Sequence, residues 1–320
     1  MNYSPILILS GEPNSIFFEI FFKTIKATKI KSPIILISSK KLIISQMSKF
    51  KFKRKIKLLE VSKLNEYKLD NKTINLIDVD YRQYKTFKKI TKKSNYFIKN
   101  SFELAFKILK KGKIKKFING PISKKSFLEN KFLGITEYIS KSFSKNKTCM
   151  LIYNKNLSVS PVTTHLPIKL VTKQINKKNI SEKVFLINRF YKKKFGFKPK
   201  IAVLGLNPHC ESIDKFNEDD KIIKPTIKFL KTKYKVSGPY PADTIFLKNN
   251  RKNFDVILGM YHDQVLTPLK TIYGYDAINI TLGLKFDRIS PDHGPNEKML
   301  GQNLSNPLSL IRAIQFLDKH

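Results

Sequence analysis

Residues 254–270, FDVILGMYHDQVLTPLK, end an apolar run of strand length in His262 and Asp263. A short apolar run bounded by polar residues reads as a buried strand opening into a loop. Histidine is scarce, with five copies in 320 residues: His165, His209, His262, His293 and the terminal His320. With so few, histidines at the ends of apolar runs point to chemistry more than to filler. The arrangement repeats outward from 254–270. PILILS (5–10) leads into GEPNS, KFING (116–120) into PISK, and PKIAVLG (199–205) into LNPHCE.

Between these runs lie segments with helical spacing. IFFEIFFKTIKA (16–27), NSFELAFKILKK (100–111, with Ser101 as the expected cap and Gly112 as the stop), SEKVFLINRFYKKKFG (181–196) and NPLSLIRAIQFLDKH (306–320) all read as helices. KTCMLIYNKNLSVSPVTTH (147–165) reads as two paired strands. Strands alternating with helices predict an α/β fold with mostly parallel sheet, in which ligands sit beyond the carboxyl ends of the strands. The polar motifs fall at those ends. No Gly-x-Gly-x-x-Gly follows the first strand, so a Rossmann dinucleotide site is not expected.

The bulk numbers narrow the class. At 41% hydrophobic residues the composition is globular. Two cysteines, Cys149 and Cys210, give no disulfide framework. The apolar N-terminal run is too short for a signal-peptide core and lacks a basic segment, and no stretch is long enough to span a bilayer. A cytoplasmic enzyme without a membrane partner is the expectation. The formal net charge of +38 invites a nucleic-acid reading, but only six of the 62 basic residues are arginine. Lysine, asparagine, isoleucine and phenylalanine dominate together, glycine numbers 12 and tryptophan is absent, which is the signature of A/T-rich codons. The lysines are spread along the chain, and no nucleic-acid partner is expected. A true binder would lose affinity steeply with salt.

His165, His209 and His262 come from three separate strand ends. Three imidazoles suit a borderline divalent metal with open positions for substrate; the alternative is three lone hydrogen-bonded loop histidines. Asp263 orients a ligand, acts as an outer-sphere partner or caps a helix. Lys270, Asn279, Arg288 and Thr136 offer donors for a phosphate and a carboxylate. Ser123 in NGPISKK marks a helix start, as an anion site or as a simple N-cap.

The ordered set SGEP, NGPISK, GITE, TTHLP, GLNPHCE, GPYPADTIF, MYHDQVLTPLK, INITLGL and DHG resembles the 4-hydroxythreonine-4-phosphate dehydrogenase family of vitamin B6 (pyridoxine) biosynthesis, from about residue 8 to the last helix. The resemblance implies two α/β lobes like those of isocitrate and isopropylmalate dehydrogenases, with the active-site cleft between lobes, in a homodimer. The lobes are expected at 1–115 plus 265–320, and at 116–264 with the dimer contacts. It implies the metal ligands His165, His209 and His262, the third of them reaching the site from the partner subunit. It implies substrate contacts from Thr136, Lys270, Asn279 and Arg288, a cofactor loop carrying His293, Gly294 and Gly301, and NAD or NADP as cofactor. The metal is expected to be zinc first, then magnesium, manganese or cobalt. The activity implied is oxidation of 4-phosphohydroxy-L-threonine to a β-keto acid that decarboxylates to 3-amino-2-oxopropyl phosphate. Lys270 belongs to the catalytic set, and Asp243, Asp263 or a metal-bound water takes the alcohol proton.

The chain departs from the family pattern at several places. Ile135 stands where the family has a histidine, Asn14, Ser15, Phe17 and Phe18 replace a glycine-rich continuation, and Lys285 replaces a proline. Ile135 motivates one alternative, a dehydrogenase of threonate or erythronate 4-phosphate. A more distant alternative is a three-histidine metal hydrolase, which would need no dinucleotide.

Overall fold

The apolar runs become strands and the amphipathic segments become helices in the order the sequence suggests. The structure, a computed structural model, describes residues 3–83, 85–128, 132, 134–143, 148–291 and 293–320, with backbone alone at 124 and 125. In chain order the elements are β1 (Ile6–Leu9), α1 (Phe17–Ala27), β2 (Ile34–Ser38), α2 (Lys40–Lys49), β3 (Ile56–Leu58), β4 (Ile74–Asp78), α3 (Asn95–Lys110), β5 (Lys116–Asn119) and α4 (Ile135–Phe143). There follow β6 (Cys149–Tyr153), β7 (Ser158–Thr163), α5 (Lys177–Phe195), β8 (Ile201–Leu204), α6 (Lys224–Leu230), β9 (Val236–Tyr240), α7 (Ala242–Ile245), α8 (Lys248–Arg251), β10 (Val256–Tyr261), α9 (His262–Tyr273) and β11 (Ile278–Leu282). The chain closes with β12 (Asp287–Pro291) and α10 (Leu308–Lys319).

Two compact units result: Met1–Ser142 with Lys285–His320, and Phe143–Leu284. The breaks fall at 142/143 and 284/285, where the sequence suggested 115/116 and 264/265. The reason is pairing. β5 lies parallel to both β1 and β12, which keeps it in the first unit. β11 pairs with β6, which keeps α9 and β11 in the second.

In the first unit the strand order is β3-β4-β2-β1-β5-β12, every pair parallel. β1 is wholly buried, as a strand covered on both faces by helices must be. α1 turns Phe17, Phe18, Ile20 and Phe21 into that core. Phe22 stacks on Phe52 with centroids 4.4 Å apart. α3 begins at Asn95, not near Ser101, because Phe97 and Ile98 extend its apolar stripe upstream; Ser101 is buried inside it.

In the second unit the order is β11-β6-β7-β10-β8-β9. The pairs β11–β6 and β6–β7 are antiparallel, and β7–β10, β10–β8 and β8–β9 are parallel. Its core joins Met150, Ile152, Val159, Leu204, Ile257, Val265 and Leu269. α5 is capped by Asn176, whose Oδ1 accepts from the backbone N–H of Asn179 at 2.8 Å. Among the described residues no helix is long and apolar enough to cross a membrane.

Candidate active site

β7, β10 and β8 are parallel neighbours, so their carboxyl ends share one edge of the second unit. His165 follows β7 by two residues. His262 follows β10 with no loop at all: it is the first residue of α9, a difference from the loop position suggested by the sequence. The rings of His165 and His262 lie 5.5 Å apart, centroid to centroid. The corner is held firmly. The Thr163 hydroxyl donates to the Met260 carbonyl at 2.8 Å. Gln264 accepts from the Met260 N–H at 2.7 Å and donates to the Gly205 carbonyl at 2.8 Å, tying the start of α9 to the end of β8.

His262 Nδ1 lies 2.7 Å from Asp263 Oδ1. A carboxylate accepts, so Nδ1 carries the proton and the lone pair is on Nε2, where a metal would take it. His209 stands apart. It is exposed, in a left-handed turn with φ 55°, and Asp219 pins the strand-end loop by accepting from the N–H groups of Leu206 and Asn207 at 2.9 and 3.0 Å. Among the described residues no three His, Cys, Asp or Glu side chains gather into a set that could hold a metal. One chain thus brings two of the three expected imidazoles together. Two imidazoles side by side, one oriented by a carboxylate, suit a zinc-like cation that completes its shell elsewhere. Cys210 is buried, and burial pushes its thiol up, with the Asp219 and Asp243 charges adding to the effect. It is a small buried apolar group.

The remaining expected residues of this unit are spread around it. Asp243 is exposed in the first turn of α7, and Lys270 is exposed in the last turn of α9. Asn279 is half-buried on β11, and its Oδ1 is buried without a hydrogen-bond partner among the described residues. An unsatisfied buried carbonyl is costly, and a ligand donor relieves it.

The first unit contributes a different constellation. Arg288 of β12 is fully buried. Its Nε donates to Asn119 Oδ1 at the end of β5 (2.9 Å), and its Nη1 to Thr136 Oγ1 on α4 (3.0 Å). Burial holds the guanidinium down to about 10 against the pull of Glu137, so it remains charged at neutral pH. Ile135, half-buried, opens α4 beside Thr136. Ser123 Oγ accepts from the Ser126 N–H at 3.3 Å, the capping role.

His293 and Gly294 follow β12. The His293 ring is half-buried; burial holds it below the usual imidazole range, opposed by the Gly294 carbonyl 3.3 Å from Nδ1. Its Nε2 is buried without a partner among the described residues, a bare acceptor for a ligand donor. Gly301 packs on Phe87, where an added Cβ would lie 2.7 Å from the ring. Asp292 lies outside the described residues.

Two residues that position these groups were not singled out from the sequence. Asn119, immediately before Gly-Pro at a strand end, holds Arg288, and Gln264, two residues after His262, locks the strand–helix corner. A polar amide flanking a glycine or a histidine at the end of a buried run is the signal that finds both.

The sequence matches the family model of the pyridoxal phosphate biosynthetic protein PdxA over residues 29–317. It is 37% identical over 317 residues to a 4-hydroxythreonine-4-phosphate dehydrogenase of Sulfurihydrogenibium sp., covering 97% of this chain and 96% of that protein. It is 31% identical to a D-threonate 4-phosphate dehydrogenase of Pectobacterium atrosepticum, covering 67% and 69%. The fold matches a putative 4-hydroxythreonine-4-phosphate dehydrogenase of Salmonella typhimurium with TM-score 0.84 at 24% identity, over 100% of this chain and 99% of that one.

Proposed function

Since the chain belongs to the family of the pyridoxal phosphate biosynthetic protein PdxA, we propose that it is a dehydrogenase that oxidises 4-phosphohydroxy-L-threonine in vitamin B6 biosynthesis. The observation that carries the site is the pairing of His165 and His262, 5.5 Å apart at neighbouring strand ends. A divalent cation, zinc first, would be held by His165, His209 and His262, the set being completed across a homodimer. When bound, the cation supplies Lewis acidity to the secondary alcohol and to the carbonyl derived from it, and NAD or NADP supplies the hydride acceptor.

The chain's own residues do the rest. Asp263 keeps His262 in the ligating tautomer. The alcohol proton leaves to a carboxylate; Asp263 is engaged with His262, which favours Asp243. Lys270 presents a cation to the substrate phosphate. The Asn279 carbonyl accepts from the substrate, and Arg288, braced by Asn119 and Thr136, supplies charge for a carboxylate. Loss of hydride and proton yields a β-keto acid, and departure of CO2 leaves 3-amino-2-oxopropyl phosphate.

A second reading is favoured by Ile135, an apolar side chain that neither donates nor accepts. It is oxidation of threonate 4-phosphate, the substrate in the name of the Pectobacterium relative. The test follows the near-ultraviolet absorbance of reduced cofactor with each acid phosphate, on metal-stripped and zinc-restored protein. Zinc-dependent turnover of the amino-acid phosphate supports the main reading. Turnover of threonate 4-phosphate alone replaces it with the second.

A further inference from the structure

The segment after β12, residues 293–305, is fastened to α1 at two places. At its near end the Pro295 carbonyl accepts from the N–H of Ile16, the residue that caps α1, at 3.1 Å. At its far end the Lys23 ammonium of α1 donates to Glu19 Oε1 at 2.9 Å, to the Asn303 carbonyl at 2.8 Å and to the Ser305 carbonyl at 2.9 Å. An ammonium carries three protons, so each finds one acceptor. The same Glu19 oxygen also accepts from the Ser305 N–H, which closes the clasp from the other side.

A lysine and a glutamate one helical turn apart on a surface are ordinarily worth little. Three observations set this pair apart. The Glu19 side chain is buried, at 1% exposure, so its charge has little solvent to rely on and Lys23 is its counter-ion. Two of the lysine's bonds reach 280 and 282 residues along the chain, so they join elements and do not merely decorate the helix. The stretch they hold has little else to hold it. Gln302, Asn303 and Leu304 are exposed, and Asn303 sits in the left-handed region at φ 60°. A residue other than glycine stays there only where its surroundings hold it. Nearer β12 the loop has other fastenings, with Glu297 Oε1 accepting from the Ile90 N–H at 2.6 Å and Gly301 against Phe87. Lys23 therefore secures the end that packing leaves open.

We propose that Lys23, aimed by Glu19, is a positioning residue for the dehydrogenase reaction: its clasp on Asn303 and Ser305 keeps the loop of His293, Gly294 and Gly301 in the shape that receives the dinucleotide. The inference rests on the dehydrogenase reading and on the assignment of this loop to the cofactor. Lys23 acts through the backbone carbonyls it holds. A loop that is competent only part of the time lowers the apparent affinity by that fraction. Releasing a charge-assisted contact moves such an equilibrium roughly ten-fold. The chemical step, once the cofactor is seated, uses groups that the clasp does not hold, so affinity changes and turnover does not.

The experiment compares the zinc-restored full chain with Lys23→Met, which keeps the apolar stem and removes the charge, and with Lys23→Arg, which keeps a cation with several donors. A control, Lys183→Met, removes an ammonium that donates to the Thr148 carbonyl at 2.6 Å in the other unit. Steady-state kinetics give kcat and both KM values, and fluorescence titration with NADH or NADPH gives the dinucleotide affinity directly. Lys23→Met is expected to raise the dinucleotide KM and Kd about ten-fold, with kcat and the acid phosphate KM unchanged within about two-fold. Lys23→Arg recovers most of the loss, and the control shows none. Thermal melts verify folding, and Lys23→Gln takes the place of Lys23→Met if that variant does not fold. An unchanged dinucleotide KM overturns the proposal. So does a fall in kcat with a rise in both KM values, the mark of a merely structural role, and so does an arginine variant as poor as methionine. Turnover by the parent with no dinucleotide effect in Lys23→Met sinks the clasp and leaves the dehydrogenase reading standing. Weakened NADH or NADPH binding in Lys23→Met, in a parent that turns over neither acid phosphate, does the reverse. A parent that neither binds the dinucleotide nor turns over sinks both.

Discussion

Thr136→Val tests the buried arginine directly. Valine keeps the shape of threonine and removes the oxygen that accepts from Arg288 Nη1 at 3.0 Å. Both ends are out of water, Arg288 at 0% exposure and Thr136 at 5%. The loss is therefore one hydrogen bond to a charged group with no solvent to replace it, about 1.5–3 kcal/mol. For a folding unit of this size that corresponds to a fall in melting temperature of roughly 3–12 °C. Thr136→Ser keeps the acceptor and gives up one methyl group, about 0.8 kcal/mol. In an Arg288→Met background the Thr136→Val change should cost under about 0.5 kcal/mol, because the donor is gone. Thermal melts of the four variants and the parent form the cycle. If Thr136→Val is neutral, if serine fails to rescue, or if the cost persists without Arg288, the contact is not what holds this guanidinium.

Other consequences are equally open to measurement. Glu12 is buried in the β1–α1 turn, and desolvation raises its carboxyl above the ordinary value, partly offset by the Asn14 N–H and the Ser94 hydroxyl, with the Glu297 charge raising it further. A raised acid favours the fold while protonated and loses that contribution as pH rises through its folded pKa, so Glu12→Gln should melt higher than the parent near pH ~7, with the gap closing toward pH ~4; a gap that widens on acidification contradicts this. Asp263→Ala frees the His262 ring and should weaken zinc binding about ten-fold in a chelator competition, with unchanged affinity counting against the orienting role. Gly11 holds φ 78°, and an added Cβ would lie 2.3 Å from the Pro121 carbonyl oxygen. Gly11→Ala should therefore cost more than about 2 kcal/mol and force the β1 and β5 ends apart, and an unaltered melt would show that the turn simply relaxes.

How far the sequence reached follows from what is local and what is not. The alternation of strand and helix was legible because a strand covered on both faces must be continuously apolar, as in Val256–Met260, and a helix on its face must repeat at 3.6, as in Phe17–Phe22. The strand-end positions of His165 and His262 were legible because strand ends are where such sheets collect polar groups. The unit boundaries were not, because β5 belongs with β12 through a pairing no local pattern announces. Arg288 looked like an ordinary donor; its partners Asn119 and Thr136 lie 169 and 152 residues away, and only the fold shows that it is buried between them. The Lys23 clasp was hidden for a third reason: in a chain with this much lysine, one cation becomes informative only when its acceptors are in place around it.

The first unit is discontinuous, with β12 and α10 supplied after the whole of the second. Synthesis runs in one direction, so a ribosome releases the second unit complete while the first still lacks an edge strand. Until residues 285–320 emerge, β5 has a bare edge, and Asn119 and Thr136 wait beside a gap shaped for a guanidinium. Residues 285–320 thus decide whether the first unit can finish folding. A chain stopped short of β12 would carry an intact histidine pair on one unit and, on the other, an open parallel edge of the kind that recruits chaperones or aggregates.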